Sequence, residues 1–288
     1  MQTKQNLKAG LDPQRAIALI TGGGGKIAEA VAGNLDELGY GLILVDISQK
    51  SLARVAAQLT QIPILIQCDL SRPAEMQKLL ARVESEYSAI QVLINCAGYI
   101  QPGELVDLRA EEIDKHLQVN LASVMQLTRG VAALMKARKR GHIITLISMG
   151  GIIALAGSAC YSATKFGLRG FNHALHIELK PHNVQVCGVF PSAVDTPMLQ
   201  HEIEHHGSAL NFVGAVQNPE KVAQKVMLAL RCNKVEIYVP YAGSLSARLL
   251  AACPGLFTRL YPLLEWIGKK GRQKYLQQCK RKLVHSTN

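Results

Sequence analysis

The stretch TGGGGKIA, Thr21 to Ala28, places four glycines and a lysine between the first apolar run, Ala16–Ile20, and a helical pattern that begins at Ile27. A strand, a glycine-rich bend and a helix N-terminus in this order suit a phosphate group. The first backbone N–H groups of the helix and the positive end of its dipole attract anions. The stretch therefore predicts a phosphate-binding turn, and the surrounding residues indicate which kind.

A nucleoside-triphosphate loop is disfavoured at two positions. The P-loop pattern needs a glycine five residues before its Gly-Lys pair and a Ser or Thr after it. With Gly25 and Lys26 as the pair, those positions hold Ile20 and Ile27. A dinucleotide turn fits better, because the acidic residue Asp46 closes the second apolar run about 20 residues further on, where a ribose hydroxyl would be bound.

Short aliphatic and β-branched runs alternate with longer helical patterns. Runs this continuous in apolar residues are typical of parallel strands buried on both faces. The predicted strands are Ala16–Ile20, Leu42–Val45, Ile62–Gln67, Val92–Asn95, Ile143–Ser148, Val184–Phe190 and Glu236–Val239. The predicted helices include Ile27–Leu38, Ala74–Glu86, Glu111–Arg138 and Ala163–Lys180. The alternation predicts an α/β fold, a Rossmann-type doubly wound parallel sheet in three α/β/α layers.

The pattern changes after Pro240. Residues 1–243 form one predicted dinucleotide-binding catalytic domain, because no repeat or linker divides them. Residues 244–288 form a predicted basic, amphipathic helical extension of the same domain. We expect its helices to be interrupted at Pro254-Gly255 and at Pro262, because proline cannot donate a backbone hydrogen bond.

The charge and the cysteines limit the setting of the protein. The net charge is +11, and Arg231 to Asn288 contain eleven Lys or Arg against two Glu. Seven cysteines without a C-x-x-C pair are typical of reduced thiols. The polar N-terminus lacks the apolar stretch of a signal peptide, and no apolar run reaches the length of about 18 residues that a spanning helix needs. We expect a cytoplasmic protein.

A tyrosine and a lysine form the centre of a candidate catalytic group. Tyr161 and Lys165, in YSATK, stand four residues apart and share one face of a predicted helix. Tyrosine is a poor acid–base catalyst at its reference pKa of about 10, and a neighbouring ammonium favours its phenolate form. Ser148 ends the fifth predicted strand, and Asn120 lies in the long helical pattern before it.

Further motifs occur in order between about Ala16 and Pro240. They are TGGGGKIA, Asp46, Asp69 in CDL, NCAG from Asn95 to Gly98, Asn120, Ser148, YSATK and PSAVDTPM from Pro191 to Met198. In this set and spacing the chain resembles the classical short-chain dehydrogenase/reductase family. The resemblance implies a hydride transfer between NAD(P) and a secondary alcohol or ketone.

The resemblance also implies a role for each catalytic candidate. Tyr161 would exchange a proton with the substrate oxygen, and Ser148 would hydrogen-bond that oxygen. Lys165 would hold the nicotinamide ribose and lower the pKa of the tyrosine. Asn120 would maintain a water and proton relay.

The cofactor would lie along the carboxyl ends of the strands. A carboxylate at Asp46 repels the 2′-phosphate of NADP, so NAD is expected and NADP stays open. Asp69 would face the adenine, and Val194 and Thr196 would reach the nicotinamide. The expected cofactor-binding residues are Gly22, Gly24, Gly25, Lys26, Ile27, Asp46, Asp69, Leu70, Asn95, Ala97, Gly98, Tyr161, Lys165, Pro191, Val194 and Thr196.

The glycine turn departs from the family pattern T-G-x-x-x-G-x-G, because Lys26 replaces the second glycine and Ala28 the third. Three interpretations of Lys26 stay open. The backbone tolerates the lysine and the side chain points to solvent, or the ammonium neutralises the pyrophosphate, or the lysine weakens cofactor binding. In the third case the chain would be a non-catalytic relative that acts as a binding or scaffold protein.

HEIEH, His201 to His205, matches the zinc-protease pattern H-E-x-x-H. The segment follows PSAVDTPML, where the resemblance predicts a mobile substrate-binding lid, so we expect no catalytic metal. Incidental metal binding by His201, His205 and His206 stays open.

The C-terminal extension combines apolar and basic residues. Its apolar residues are Leu249, Leu250, Leu256, Phe257, Leu260, Leu263, Leu264, Trp266 and Ile267, and its cations include Lys269, Lys270, Arg272, Lys274, Lys280, Arg281 and Lys282. This pattern suits either a helix that caps the substrate pocket or a subunit contact, or a peripheral contact with a membrane. Membrane contact would favour a lipophilic substrate, such as a steroid, a retinoid or a long-chain 3-oxo lipid.

Two partner expectations complete the sequence-based picture. The resemblance implies a homodimer or homotetramer that assembles through the long helices after the fourth and fifth strands. Nucleic acid is not an expected partner, because the aromatic residues needed for base stacking do not alternate with the basic ones.

Overall fold

The computed structural model describes residues 16–286, with side chains described as far as Arg281. Seven parallel strands form one sheet in the order β3-β2-β1-β4-β5-β6-β7. The strands are β1 (Ile17–Thr21), β2 (Gly41–Asp46), β3 (Ile64–Gln67), β4 (Ile90–Asn95), β5 (Gly141–Leu146), β6 (Val184–Pro191) and β7 (Glu236–Val239).

Ten α-helices are found in the described part of the chain. They are α1 (Lys26–Glu37), α2 (Gln49–Ala56), α3 (Pro73–Glu86), α4 (Ala110–Leu117), α5 (Ser123–Arg138), α6 (Ala159–Leu179), α7 (Pro197–Glu204), α8 (Pro219–Ala229), α9 (Tyr241–Ala251) and α10 (Pro254–Ser286). The expected domains include residues 1–15, 287 and 288, which lie outside the described residues. The side chain of Lys282 lies outside them as well.

The sheet is buried on both faces, as the apolar runs predict. One core contains Val31 of α1 and Val226 of α8, which pack against one face of the sheet. The other core contains Leu79 of α3 and Leu127 of α5, which pack against the opposite face. The three-layer, doubly wound fold is therefore confirmed.

The strand order reverses at β1, which pairs with β2 on one side and with β4 on the other. Crossover connections leave a crevice at the carboxyl ends of the strands where the order reverses. Thr21 at the end of β1 is in register with Asn95 at the end of β4. The two motifs that begin at these residues thus meet at one edge of the sheet.

The prediction of one continuous helix over Glu111–Arg138 is wrong in one respect. A π-helical turn, Gln118–Ala122, separates α4 from α5. A π-turn inserts an extra residue and rotates the side chains that follow it, and such turns are frequent at functional sites. Here it contains Asn120, whose amide hydrogen-bonds to the backbone of Tyr99 and not to its own helix.

The C-terminal extension forms two helices. The expected interruption at Pro254 is confirmed, and Pro254 is the first residue of α10, where its missing N–H is unneeded. The expected interruption at Pro262 is wrong, because α10 continues through it. Close packing compensates for the lost hydrogen bond: a Cβ atom at Gly268 or Gly271 would overlap the backbone of the turn Ala209–Phe212. No helix in residues 16–286 has the length and hydropathy to cross a membrane.

Candidate active site

A cleft runs along the carboxyl ends of the strands and encloses a cavity of about 470 Å³. Most residues to which the sequence points line this one cavity. They are Gly22, Gly25, Lys26, Ile27, Asp46, Ala97, Gly98, Ser148, Tyr161, Lys165, Pro191, Val194 and Thr196. We call the part formed by the glycine turn, Asp46 and residues 96–98 the cofactor half, and the part formed by residues 149–155, α7, residues 208–215, α9 and α10 the substrate half.

The glycine turn is shaped by the strand beside it. Gly22 has a φ of +64°, and a Cβ atom there would lie 2.8 Å from the Cα atom of Ala97. Glycine is needed on both grounds, because other residues disfavour positive φ and have no room for a side chain. Gly25 is extended and precedes the first turn of α1 without a side-chain cap. The first backbone N–H groups of α1 therefore lack a capping side chain, and they form the candidate anion site beside the turn.

Lys26 occupies an ordinary backbone position. It is the first residue of α1, and its half-exposed ammonium lies 3.1 Å from a carboxylate oxygen of Glu29. Arg54 also pairs with Glu29, at 2.6 Å. Burial opposes the ionisation of Glu29, but hydrogen bonds from Arg54 and Lys26 hold its pKa below the usual value. The helix start accepts the lysine without strain, and its charge is already paired.

Asp46 fixes the glycine turn to the end of β2. Its Oδ2 accepts a hydrogen bond from Gly24 N at 3.0 Å, and its Oδ1 accepts one from Ser48 N at 2.9 Å. Arg54 donates to the carbonyl oxygen of Gly24 at 2.8 Å. The carboxylate is thereby held at the edge of the cofactor half, where a ribose would lie.

Three expected cofactor residues support the cleft from outside the cavity. Gly24 faces Ser51 of α2 so closely that a Cβ atom there would overlap it. Asp69 accepts hydrogen bonds from the backbone and hydroxyl of Ser71 at the start of the α3 turn. Leu70 packs against the core beneath α3. The contact of Asp69 with an adenine stays a prediction.

The side chain of Asn95 does not lie where a cofactor-binding residue was expected. It is buried and donates to Thr128 Oγ1 of α5 at 3.1 Å, so it does not line the cofactor cleft. Alternation along the strand gives the reason, because Asn95 shares a face with Leu93, which belongs to the core beneath α5. The backbone of Cys96 and Ala97 lines the cleft instead, held by N–H donation to Thr21 Oγ1 at 3.2 Å.

The tyrosine, lysine and serine meet where the two halves join. The hydroxyl of Ser148, just beyond β5, hydrogen-bonds to Tyr161 of α6. Lys165 lies one turn further along α6, with its Nζ 5.4 Å from the centre of the Tyr161 ring, and donates to the carbonyl oxygen of Leu146 at 3.1 Å. Ser148 Oγ also accepts from Gly150 N at 3.0 Å, which fixes its rotamer.

Asn120 lies behind the cleft and not in it. Its Oδ1 accepts from Tyr99 N at 2.7 Å, and its Nδ2 donates to Tyr99 O at 2.8 Å and to Thr164 Oγ1 at 3.3 Å. These bonds clamp the loop after β4 to α6. The structure thus gives Asn120 a positioning role, and the water and proton relay that the resemblance implies stays a prediction.

The substrate half is largely apolar. Its walls include Met149, Ile153, Leu155, Leu199, Leu210, Val213, Ala247, Leu250 and Leu264. None of the residues from α9 and α10 in this wall carries a sequence motif. Their positions follow from tertiary contacts, such as the hydrogen bond from Tyr275 of α10 to Asp195 beside α7 at 2.7 Å.

One carboxylate interrupts the apolar wall. Glu202 of α7 lines the cavity, and its Oε2 accepts from Asn211 Nδ2 at 2.7 Å. Sequence reasoning missed this residue, because HEIEH was tested only for metal ligands and its glutamate was given no role in the expected substrate-binding lid. A signal was present: Glu202 follows Leu199 by three residues and therefore shares its inward face of the helix.

The histidines of HEIEH do not assemble a metal site with that glutamate. The His201 and His205 rings contact each other with centroids 4.1 Å apart, and Glu202 points into the cleft. Within residues 16–281, no group of three or more His, Cys, Asp or Glu side chains is arranged to hold a metal ion.

The chain matches the family model of short chain dehydrogenases over residues 16–207, two thirds of its length. It belongs to the short-chain dehydrogenase family. The match covers the glycine turn, Asp46, Ser148, Tyr161 and Lys165, which the structure brings into one cleft.

Relatives and solved structures agree with this assignment. This short-chain dehydrogenase is 27% identical to 3-dehydrosphinganine reductase of Danio rerio over 251 residues, which cover 83% of this chain and 76% of the relative. It is 26% identical to 3-ketodihydrosphingosine reductase of Bos taurus over 223 residues, 74% of this chain and 67% of the relative. A short-chain dehydrogenase from Sphingobium yanoikuyae in complex with NADPH has the same fold, with a TM-score of 0.73, 24% identity, and coverage of 84% of this chain and 95% of that one.

The cofactor half fits the NAD(P) that this family of oxidoreductases uses. The uncapped N-terminus of α1 suits the pyrophosphate, and the Asp46 carboxylate at the end of β2 suits a ribose. Bound NAD(P) would carry the hydride that the reaction transfers. The chain itself must position the substrate oxygen and exchange the proton with it.

The electrostatics of the dehydrogenase keep that proton on the tyrosine. Burial raises the pKa of Tyr161, the negative charge of Glu202 raises it further, and the hydrogen bond with Ser148 acts in the opposite direction. Burial also lowers the pKa of Lys165 to about 8. Burial is the largest cause of the shift in the Tyr161 pKa, and the lowering by Lys165 that the resemblance implies stays a prediction. A neutral Tyr161 is a proton donor for a carbonyl oxygen.

Proposed function

We propose that this short-chain dehydrogenase reduces a ketone on a lipophilic substrate to a secondary alcohol. The observation that carries the proposal is the single cavity that joins Ser148, Tyr161 and Lys165 to an apolar substrate half. Ser148 would hydrogen-bond the carbonyl oxygen while Tyr161 donates its proton. The apolar wall would bury the hydrocarbon part, with about 25 cal/mol gained for each Å² of apolar surface removed from water.

The substrate class is a long-chain 3-oxo lipid rather than a steroid or a retinoid. Two relatives, from Bos taurus and Danio rerio, carry names that specify the reduction of a 3-keto sphingoid base. The apolar substrate half, with α9 and α10 contributing to its wall, agrees with a flexible alkyl chain. A neutral Tyr161 is the form that donates a proton to a carbonyl oxygen when a ketone is reduced.

The cofactor is NADH in this proposal. The Asp46 carboxylate closes β2, where the ribose is expected, and the cations Lys26 and Arg54 are both paired with Glu29. A phosphate would thus meet one unneutralised negative charge and no free cation in the described cofactor half. Titration of the protein with NADH and with NADPH tests this proposal, and tighter binding of NADPH would contradict it.

The decisive assay is oxidation of NADH with a long-chain 3-oxo substrate. Tyr161→Phe keeps the ring in its packing but removes the proton donor, and we expect kcat to fall by about 10²- to 10⁴-fold. Cofactor affinity should stay close to that of the unchanged protein. Tyr261→Phe is a matched control, because that hydroxyl accepts a hydrogen bond from Ala156 N outside the catalytic group.

The competing proposal is a binding or scaffold protein that retained the fold without catalysis. Isothermal titration separates the two, because a scaffold of this kind would bind neither cofactor at millimolar concentration. Cofactor binding without turnover of any ketone would also favour the competing proposal.

A cytoplasmic protein with peripheral membrane contact agrees with a lipid substrate. Leu249, Leu256, Leu263 and Trp266 of α9 and α10 are each at least half exposed, and the Lys270 ammonium lies 3.6 Å from the centre of the Trp266 ring. Vesicles containing anionic lipid should bind the protein, and replacing these four apolar residues with serine should abolish sedimentation. Val106→Ser removes an exposed apolar residue elsewhere and is the control.

Self-association through α5 and α6 completes the proposal. Short-chain dehydrogenases generally form oligomers, and Met125, Phe166 and Ile177 expose apolar side chains on these two helices. A homodimer or homotetramer would bury them. Light scattering after size-exclusion chromatography measures the state, and Phe166→Glu should shift it toward the monomer.

A further inference from the structure

Glu202 is exceptional among the residues of the substrate half. The neighbouring wall is formed by side chains such as Leu199, Leu210 and Val213. Within the described lining of the substrate half, Glu202 is the one side chain that carries a carboxylate. A carboxylate in such a setting costs free energy unless it is paired, because it loses hydration.

The pairing of this carboxylate is incomplete. Asn211 donates to Oε2, and no described residue donates to Oε1 or forms an ion pair with Glu202. Glu202 and Tyr161 both line the same cavity. Burial raises the pKa of Glu202 to about 7, as expected for a carboxylate that lacks a cation.

Glu202 also lies near the reacting centre. Its negative charge raises the pKa of Tyr161, so the two groups interact electrostatically across the cavity. A substrate cation that pairs with Glu202 would therefore lie in the same cavity as a carbonyl group held by Tyr161 and Ser148. The chemistry that fits this position is a primary ammonium group, which supplies both the charge and the missing hydrogen-bond donor.

We propose that Glu202 determines specificity by binding the ammonium group of a lipophilic amino ketone, with the ammonium one or two carbons from the carbonyl that is reduced. The inference rests on the proposed function, because it takes ketone reduction at Tyr161 as given. Asn211 is a positioning residue that holds the carboxylate toward the cavity through its 2.7 Å hydrogen bond.

The test compares three synthetic ketones of equal chain length, with a primary amine, an N-acetylated amine or hydrogen at the carbon beside the carbonyl. With the unchanged protein, kcat/KM for the amino ketone should exceed that for the other two by about 10- to 100-fold, as for hydrogen bonds to charged groups. Glu202→Gln should remove this advantage. Any effect of the lost charge on Tyr161 should act on all three ketones alike, so the quantity that decides is the ratio of their kcat/KM values.

Glu204→Gln is the matched control, because Glu204 is on the same helix but is exposed and outside the cavity. It should retain the preference for the amino ketone. Absence of the preference in the unchanged protein, or its persistence in Glu202→Gln, would overturn the inference. An equal loss for all three ketones would also overturn it, because it would indicate a purely structural role.

The proposed function can fail separately. If no ketone is reduced, isothermal titration of the amino and N-acetylated compounds still decides the role of Glu202. Tighter binding of the amino compound that Glu202→Gln abolishes supports the inference without catalysis, and equal binding of the two compounds contradicts it.

Discussion

The two halves of the cleft are built by different means. In the cofactor half, backbone geometry dominates: Gly22 is required by its φ and by the nearby Ala97, and Asp46 is held by two backbone N–H groups. In the substrate half, side chains from α7, α9 and α10 form an apolar wall around one underpaired carboxylate. The cofactor half therefore restricts strongly which residue types are possible at its positions. The substrate half allows its residue types to vary with the substrate.

Gly22→Ala is the variant with the largest expected effect, and it tests whether backbone geometry determines the cofactor half. The change forces a positive φ on alanine and places its Cβ atom 2.8 Å from Ala97, so we expect a loss of about 3 kcal/mol or more in the free energy of unfolding. Cofactor binding should be lost as well. Denaturant unfolding and titration with NADH measure the two effects.

Gly33→Ala is the matched control for that change. Gly33 lies within α1, and a Cβ atom there would contact nothing within 4 Å. Alanine in an open helical position stabilises by up to about 1 kcal/mol relative to glycine. Equal destabilisation by both changes would mean that the turn at Gly22 has no special requirement for glycine.

The second prediction concerns the substrate half, where the underpaired carboxylate should cost stability at high pH. Glu202 has a pKa of about 7 in the folded protein against a usual 4.5. Between these values the unfolded chain has lost the proton and the folded protein retains it, so stability falls as pH rises through this window. Glu202→Gln should therefore raise the free energy of unfolding at about pH 8, by as much as about 3 kcal/mol, and change it little at about pH 4.

Thermal or denaturant unfolding at the two pH values checks this result. Glu204→Gln, on the exposed side of α7, should change stability by less than about 0.5 kcal/mol at either pH. If Glu202→Gln destabilises the protein at high pH, the carboxylate is better paired than the contacts with Asn211 indicate.

The same difference explains what could be predicted from the sequence. The sheet, the glycine turn and the Ser148–Tyr161–Lys165 group were predictable, because buried parallel strands leave continuous apolar runs and the spacing of Tyr161 and Lys165 is local. Asp46 was predictable for the same reason, since it closes such a run.

Other features depend on contacts between distant segments. The side chain of Asn95 turns toward Thr128, 33 residues away, and α10 continues through Pro262 because its glycines pack on the turn Ala209–Phe212. The π-helical turn at Asn120 depends on its bonds to Tyr99. No local pattern in the sequence specifies these partners.

The third prediction tests whether Asp46 in the cofactor half selects NADH over NADPH. Asp46→Asn removes the charge at a nearly constant shape. It should weaken NADH binding and improve NADPH binding, so that the ratio of their dissociation constants shifts by about tenfold, or about 1.4 kcal/mol. The ratio is its own control, because damage to the turn through Gly24 or Ser48 weakens both cofactors alike. An unchanged ratio would remove Asp46 as the determinant.

The smallest expected effect is at Lys26, the residue that departs from the family pattern. Its backbone is the ordinary start of a helix, and its half-exposed ammonium is engaged by Glu29 at 3.1 Å. Exposed pairs of this kind contribute less than about 1 kcal/mol, so Lys26→Gly and Lys26→Ala should each change NADH affinity by less than about threefold. A tenfold loss in both variants would identify the ammonium as a pyrophosphate ligand, and a tenfold gain in both would identify the side chain as an obstruction. A gain in NADH affinity in Lys26→Gly alone would mean that the backbone conformation at this position, and not the charge, limits cofactor binding. Glycine would then be favoured at position 26 as it is at Gly22.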